Sequence, residues 1–409
     1  VVACAVAVRI WSWSWAVQMT NDGVDFLWQA QRLLAGEVEL MLRHPYHPLT
    51  ATFIAGLSWI TGDVLSAAVT VSVLSGAVIV IAAHDLARMA FPHLRSAGLF
   101  AAILAALHSR TVIYTSDVQS DGLFLALFLL AVRMAFAGIE RGVCRRRLAL
   151  AGLLSGLAYL TRPEGLFVAL PVGLWALAAW RRSDIPRARI ASGVAAFALV
   201  LIVVALPYVM FVHHTTGIWG ISMKPSLSAV GLAESGNYTA PPKESPISSP
   251  KVRRAKKAPV QPNAPPDTPQ PKQGSLSPLA LVLTDSKSVT PASLAETFGL
   301  YVNTLRADVF VFAMVGLVIL WGRRRRLAQL LICITTVWLA LSAFHLVQST
   351  YLSARHVMEL VVLCLPLAGA AMASAWSSAR QGKRPSTGLR CLVVLSLFAM
   401  FWSGVRPRH

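Results

Sequence analysis

Pro48-Leu49-Thr50-Ala51-Thr52-Phe53-Ile54-Ala55-Gly56-Leu57-Ser58-Trp59-Ile60-Thr61 is apolar enough to enter a bilayer. At about fourteen residues it is shorter than the roughly 20 needed to cross one. How it lies decides the sidedness of everything after it. If it crossed, the arginine-rich loops at Arg141–Arg147 and Arg181–Arg189, and every later basic loop, would face outward. If it lies in the interface as a juxtamembrane helix, the loops carrying Arg88 and Arg95, Arg141–Arg147, Arg181–Arg189, Arg323–Arg326 and Arg380–Arg390 all become cytoplasmic. That is the side on which Lys and Arg accumulate in short loops. One assumption aligns five loops, so the segment is read as interfacial. The C-terminal Arg406-Pro407-Arg408-His409 falls on the outer face and runs against the pattern, although a short tail carries little weight.

Working outward, the composition is that of an all-α polytopic membrane protein: 56% of the 409 residues are hydrophobic and 13% charged, with a mean hydropathy of +0.60. Apolar runs fall at 1–19, 64–83, 97–109, 120–138, 149–161, 165–180, 191–212, 308–322, 327–347, 357–376 and 391–405, about eleven spans, some needing polar flanks to complete a crossing. The net charge of +19 sits in short loops between these runs, which argues against a nucleic-acid partner. The five cysteines (Cys4, Cys144, Cys333, Cys364, Cys391) have neither paired nor metal-ligand spacing. Val1 already lies in a hydrophobic run, read as a first membrane helix rather than a removable signal. The expected organisation is an N-terminal membrane module, 1–212, whose first outer loop is 20–63; an outer segment, 213–307, containing a Pro/Lys-rich disordered insert at 240–278; and C-terminal membrane helices, 308–409. The insert holds the basic block Lys251–Lys257, and the sequon Asn237-Tyr238-Thr239 precedes it. Ala292 to Arg306 reads as a weakly amphipathic helix returning to the membrane.

With that topology, the acidic and histidine residues near membrane ends converge on the outer side. Asn21-Asp22-Gly23-Val24-Asp25-Phe26 directly follows the first apolar run. A carboxylate there can act as general base for an incoming hydroxyl or amine, or simply cap a helix Phe26–Ala35 that stops at Gly36. His44 and His47, in His44-Pro45-Tyr46-His47-Pro48, can contact phosphate or acceptor or serve as structural donors. In Tyr114–Asp121, Asp121 begins an apolar run, a position that also suits the helix dipole, and Asp117 is either a ligand contact or a solvated loop residue. Within Gly156–Gly165, Arg162 suits a phosphate oxygen pair, or pairs locally with Glu164 across Pro163. Arg355-His356 stands at the outer end of a span and can bind an anion or snorkel to headgroups. Carboxylates and arginines from four separate outer segments at one depth are the inventory for a polyprenyl-phosphate sugar donor.

The order of these motifs resembles the C-type membrane glycosyltransferases, and within them the bacterial family-39 branch, related to protein O-mannosyltransferases and lipid A aminoarabinose transferases. The residues that carry it are Asp22-x-x-Asp25-Phe26, Ala30–Gly36, His47-Pro48-Leu49, Ser120-Asp121-Gly122-Leu123-Phe124, Gly156–Gly165, and Arg355-His356 ahead of Leu365-Pro366. They cover residues 20–170 well and the last third thinly. The resemblance implies a GT-C-type fold with juxtamembrane helices in the first outer loop. Asp22 matches the family's first acidic position, Asp121 its later acidic position, Arg162 the basic position facing the lipid phosphate, and Arg355 the late Arg-Tyr pair, with His356 replacing the tyrosine. Lys224, after Thr216–Met223, resembles a residue that joins the phosphate site. Asp-x-x-Asp replaces the family's adjacent Asp-Glu, leaving open whether Asp22 or Asp25 is the base.

The function expected is inverting transfer of one sugar from a polyprenyl-phosphate donor to a lipid, glycan or protein acceptor at the outer face of a bacterial inner or plasma membrane. No cofactor and no metal is expected, since no compact ligand cluster is visible. The rival from another class is a transporter or flippase for an amphipathic anion, which would place its charges mid-membrane and show repeated halves.

Overall fold

The computed structural model of the chain describes residues 1–16, 18–140, 142–181, 185–224, 290–349, 352–377 and 387–405. The sequon at Asn237, the insert at 240–278 with its basic block, most of the Arg380–Arg390 loop and the C-terminal Arg406–His409 lie outside these residues. Among the described residues every regular element is helical. The first eleven α-helices are α1 (Val2–Ser14), α2 (Asn21–Leu34), α3 (Val38–Leu42), α4 (Leu49–Thr61), α5 (Val64–Ala90), α6 (Ala97–Leu107), α7 (Ser109–Ser116), α8 (Ser120–Glu140), α9 (Arg145–Tyr159), α10 (Ala169–Trp180) and α11 (Arg187–Thr216). Helices at Pro291–Leu305, Ala307–Arg323, Arg325–Ser349, Met358–Ser377 and Thr387–Val405 follow, with 3-10 turns at Pro163–Val168 and Ala354–Val357.

Among the described residues, six helical segments are long and apolar enough to cross a membrane, and eight if each of two bent pairs counts as one span. The sequence pattern predicts about eleven, and the difference lies in short runs. Thirteen-residue α1 reaches about 20 Å against a hydrocarbon core of about 30 Å. The expected span 97–109 and outer loop 110–119 are instead one broken span, α6 and α7, bent by 59°. The helix predicted over Ala292–Arg306 is present as Pro291–Leu305, opened by a Thr290/Ser293 capping box, and turns 99° into Ala307–Arg323.

The bend at His108 has a visible physical counterpart. Breaking a helix frees carbonyls that lipid cannot satisfy. Arg9, fully buried on α1, donates to Ala105 O and Ala106 O at 3.3 Å each and to Thr115 Oγ1 at 2.6 Å. One guanidinium thus ties the end of α6 to α7.

The centre of the bundle is Met358–Ser377 packed on α5, α6 and α8. Small residues allow these backbones to approach closely; a Cβ on Gly369 would lie 2.4 Å from Ala101 N. α4 lies against α2 and α5 through Ala51, Ile54 and Ala55, which meet Phe26 and Ala30. Its far end leaves Trp59 and Ile60 83% and 82% exposed. A short helix with one face on protein and bulky apolar residues turned outward is the form expected of an interfacial element.

Candidate functional site

α2 begins one turn earlier than the sequence suggests. Thr20 is its N-cap, with extended backbone at φ −63° and ψ 152°. Neither Asp22 nor Asp25 caps it: Asp22 lies in the first turn and Asp25 one turn further along. With a spacing of three residues they share a helix face. Phe26, one turn after Asp22, and Ala30 pack on α4, which sets Asp22 at the edge of that packed face. Gln29, also buried, donates through Nε2 to Met41 O and Tyr46 O at 3.1 Å each, fastening the His44–Pro48 turn beside α2. The Leu49 N–H donates to Leu160 O at 2.8 Å, which joins that turn to the end of α9. Gly165 permits the next step. A Cβ there would sit 2.1 Å from Tyr159 N, so only glycine lets the Pro163–Val168 turn fold back on α9.

Asp22 is engaged on both oxygens. Tyr46 Oη donates to Oδ1 at 2.8 Å, and Arg355 Nη1 to Oδ2 at 2.9 Å. Burial alone would raise its pKa, yet the Tyr46 hydrogen bond and the Arg355 charge hold it below the ordinary carboxylate value. Asp25 moves the other way: burial and the Asp22 charge raise it, against the pull of His44, whose Nε2 is 3.6 Å from Asp25 Oδ1. Burial lowers His44. The Tyr46 phenol is raised by burial and by its bond to Asp22. Lys224 has its ammonium 4.7 Å from the Tyr46 ring centroid. Burial and the Arg162 charge lower its pKa, while Glu164 and Asp22 raise it. It is delivered there by the 217–224 loop, which Tyr159 Oη ties down through Ile221 O at 2.8 Å.

Behind Lys224 is a second cluster. Arg162 forms an ion pair with Asp121 through Nη1 and pairs with Glu164 through Nη2 at 3.0 Å. It is almost fully buried; burial works against its charge, but the two carboxylates hold its pKa well above normal. This is the local-pair reading of Arg162, with a third partner added. Three expectations change as a result. Arg162 is saturated by protein carboxylates instead of presenting its fork to a ligand. Asp121 is buried and paired with Arg162, a placement that suits positioning the guanidinium. Asp117 is not solvated: it is 4% exposed and accepts from Val118 N–H at 2.8 Å and Gln119 Nε2 at 3.3 Å.

The histidines of the motifs also change role. His47, 1% exposed, is packed between Tyr159 and Tyr208 with ring centroids at 5.0 and 4.9 Å, out of reach of a ligand. His356 accepts at Nδ1 from Ser353 N–H at 3.1 Å, closing a capping box, and its ring lies against His345. Burial pushes His47 down to about 3, below its unfolded value of about 6.5. The unfolded chain therefore binds the extra proton between these values, and stability falls as pH drops from about 6.5 toward 3. His47→Phe keeps a ring between the tyrosines and is expected to flatten that slope in a pH series of thermal unfolding; an unchanged slope would refute the assignment.

Two residues at the site escaped the sequence reading. Tyr46 lies inside His44–Pro48, where the two histidines carry the stronger chemical signal. Glu359, buried at the start of Met358–Ser377, has Oε2 without a hydrogen-bond partner and lies within electrostatic reach of Arg162. A lone carboxylate opening an apolar run was its signal.

Asp22, Tyr46, Lys224 and Arg355 therefore meet at one end of the bundle, backed by Asp121–Arg162–Glu164, on juxtamembrane helices that pack on a broken-helix core. The backbone as a whole superposes on the structure of ArnT from Cupriavidus metallidurans bound to undecaprenyl phosphate with a TM-score of 0.62 over 93% of this chain at 13% identity. The chain has the C-type membrane glycosyltransferase fold. The Archaeoglobus fulgidus oligosaccharyltransferase in its apo form gives a TM-score of 0.57 over 99% of this chain at 12% identity. The archaeal oligosaccharyltransferase AglB from the same organism, in complex with an inhibitory peptide and a dolichol-phosphate, gives 0.51 over 98% at 12% identity. The chain spans 61% of the length of ArnT and 54% of the oligosaccharyltransferase. In sequence, residues 43–208 match the family model for dolichyl-phosphate-mannose-protein mannosyltransferases, a stretch running from the His44–Pro48 turn through Arg162. No curated protein matches the chain in sequence.

Proposed function

We propose that this multi-pass membrane protein transfers a sugar from a polyprenyl-phosphate donor to a hydroxyl-bearing lipid, glycan or protein acceptor, at the outer face of a bacterial plasma membrane. The observation that carries this reading is the Asp22–Arg355 pair with Lys224 and Tyr46 around it: a carboxylate and two cations gathered at one site. In the reaction, the acceptor oxygen forms a bond to the anomeric carbon as the bond from that carbon to the phosphate oxygen breaks, with inversion. The acceptor proton passes to Asp22, and the polyprenyl phosphate leaves carrying the electron pair. Lys224 and Arg355 neutralise it. Arg162 acts from behind, locked by Asp121 and Glu164, and keeps the turn that supports the site in place. An incoming phosphate competes with Asp22 for Arg355. Loosening that ion pair makes Asp22 a stronger base as the donor arrives. Asp25, paired with His44, is a supporting group.

The test is mass spectrometry of glycolipids and glycoproteins from cells with and without the gene, complemented by wild type or by Asp22→Asn. A glycan lost on deletion and restored only by wild type supports the enzyme. Unchanged glycans with altered uptake of an amphipathic anion would replace it with the transporter. Tyr46→Phe gives a finer check. Removing the hydroxyl leaves the burial of Asp22 less opposed, so its pKa rises and the acid limb of the transfer rate moves to higher pH. A limb that stays put, or moves down, would remove Tyr46 from this role.

A further inference from the structure

Asp22 and Arg355 form one wall of an open cavity of about 420 Å³, within the range of small-ligand sites. The cavity lies on the side away from Tyr46, Lys224 and Arg162, none of which lines it. Its other walls are Gln18, Met19, Thr20, Asn21 and Gln119. Its single acid and single cation are paired with each other at 2.9 Å, so the lining presents no net charge. What remains is amide and hydroxyl, with the Met19 side chain as the one apolar wall, suited to the C–H face of a sugar ring. Each amide offers donors and an acceptor a fixed distance apart, a pattern that matches adjacent hydroxyls. Gln119 is held by its bond to Asp117 and is 7% exposed, and Thr20 Oγ1 is held on Val118 O at 3.2 Å. These two are pre-set, whereas Gln18 and Asn21 stand at the mouth.

We infer that this cavity is the acceptor subsite and that its ligand is an uncharged, hydroxyl-rich sugar unit. An anionic acceptor would compete with the donor phosphate for Arg355, and a cationic one would neutralise the carboxylate that has to take the proton. A neutral hydroxyl does neither, and it reaches Asp22 through a cavity that Lys224 does not line. The assignment rests on the proposed transfer reaction and narrows it to a glycan acceptor.

Three probes with one ring and different charge test it: methyl glucoside, methyl glucuronide and methyl glucosaminide. Binding to the full chain in lipid nanodiscs is read by saturation-transfer NMR with competition. The glucoside is expected to bind roughly tenfold more tightly than either charged analogue. Asn21→Ala and Gln18→Ala, both at exposed positions, should each weaken it by roughly 3- to 10-fold, the effect of one lost hydrogen bond. Equal or tighter binding of a charged analogue, or variants within twofold of wild type, would overturn the inference. Consumption of polyprenyl-phosphate mannose by the wild-type protein is measured in parallel. If the donor is never consumed, the transfer reading falls whatever the NMR shows. If the donor is consumed but no glycoside binds, only the subsite falls.

Discussion

Asp22→Asn is expected to slow sugar transfer by roughly 10²- to 10⁴-fold, the contribution of a positioned general base, without unfolding the protein. The amide still accepts from the Tyr46 hydroxyl and fits the same space, so α2 keeps its place. What it loses is the capacity to take the acceptor proton and the charge opposite Arg355. Asp25→Asn is the control. Its carboxyl does not line the cavity beside Asp22, and a loss below roughly tenfold is expected from disturbing His44 alone. Single-turnover transfer from polyprenyl-phosphate mannose in nanodiscs separates the two variants. Asp22→Asn within threefold of wild type, or Asp25→Asn the more damaged, would move the base to Asp25.

Arg162→Met is expected to give the largest loss of stability of any single substitution at the site. The guanidinium is enclosed between Asp121 and Glu164, and deleting it leaves the buried Asp121 carboxylate without its counter-ion, beside a half-buried Glu164. Breaking a buried pair in this way costs about 3–5 kcal/mol. Because the penalty comes from the stranded charges, the triple variant Arg162→Met, Asp121→Leu, Glu164→Met should recover much of it. Thermal unfolding in nanodiscs, followed by circular dichroism, compares the single and triple variants. A single variant as stable as wild type would show that the cluster is hydrated and weakly coupled. The triple variant also separates fold from function: if Arg162 acts only through position, transfer stays impaired in proportion to displacement of the 162–165 turn, and Lys224 still binds the donor.

The helical class, the separate short helix α4 and the approach of Asp22 to Arg355 were legible in the sequence, each for a physical reason. Apolar runs and polar interruptions mark depth in a bilayer, and depth alone put those two side chains at one level. Depth says nothing about lateral placement. Arg162 sits at the same level as Arg355 but is screened by Asp121, a neighbour 41 positions away. His47 looked like a ligand-contacting residue because its burial depends on Tyr159 and Tyr208, from two distant helices. The break at His108 was invisible because 97–109 is uniformly apolar up to its last residues. The residue that compensates it, Arg9, belongs to a different helix. The start of α2 was misplaced by one turn because Asp outranks Thr as a cap only when nothing else uses its carboxylate. Here Tyr46 and Arg355 do.

The bond between Asp22 and Arg355 joins positions 333 apart in the chain. Every helix between them has to be synthesised before those two meet. On the reading proposed above, a nascent chain halted between them would hold Asp22 without its counter-ion, and the site would come together only as the later helices pack.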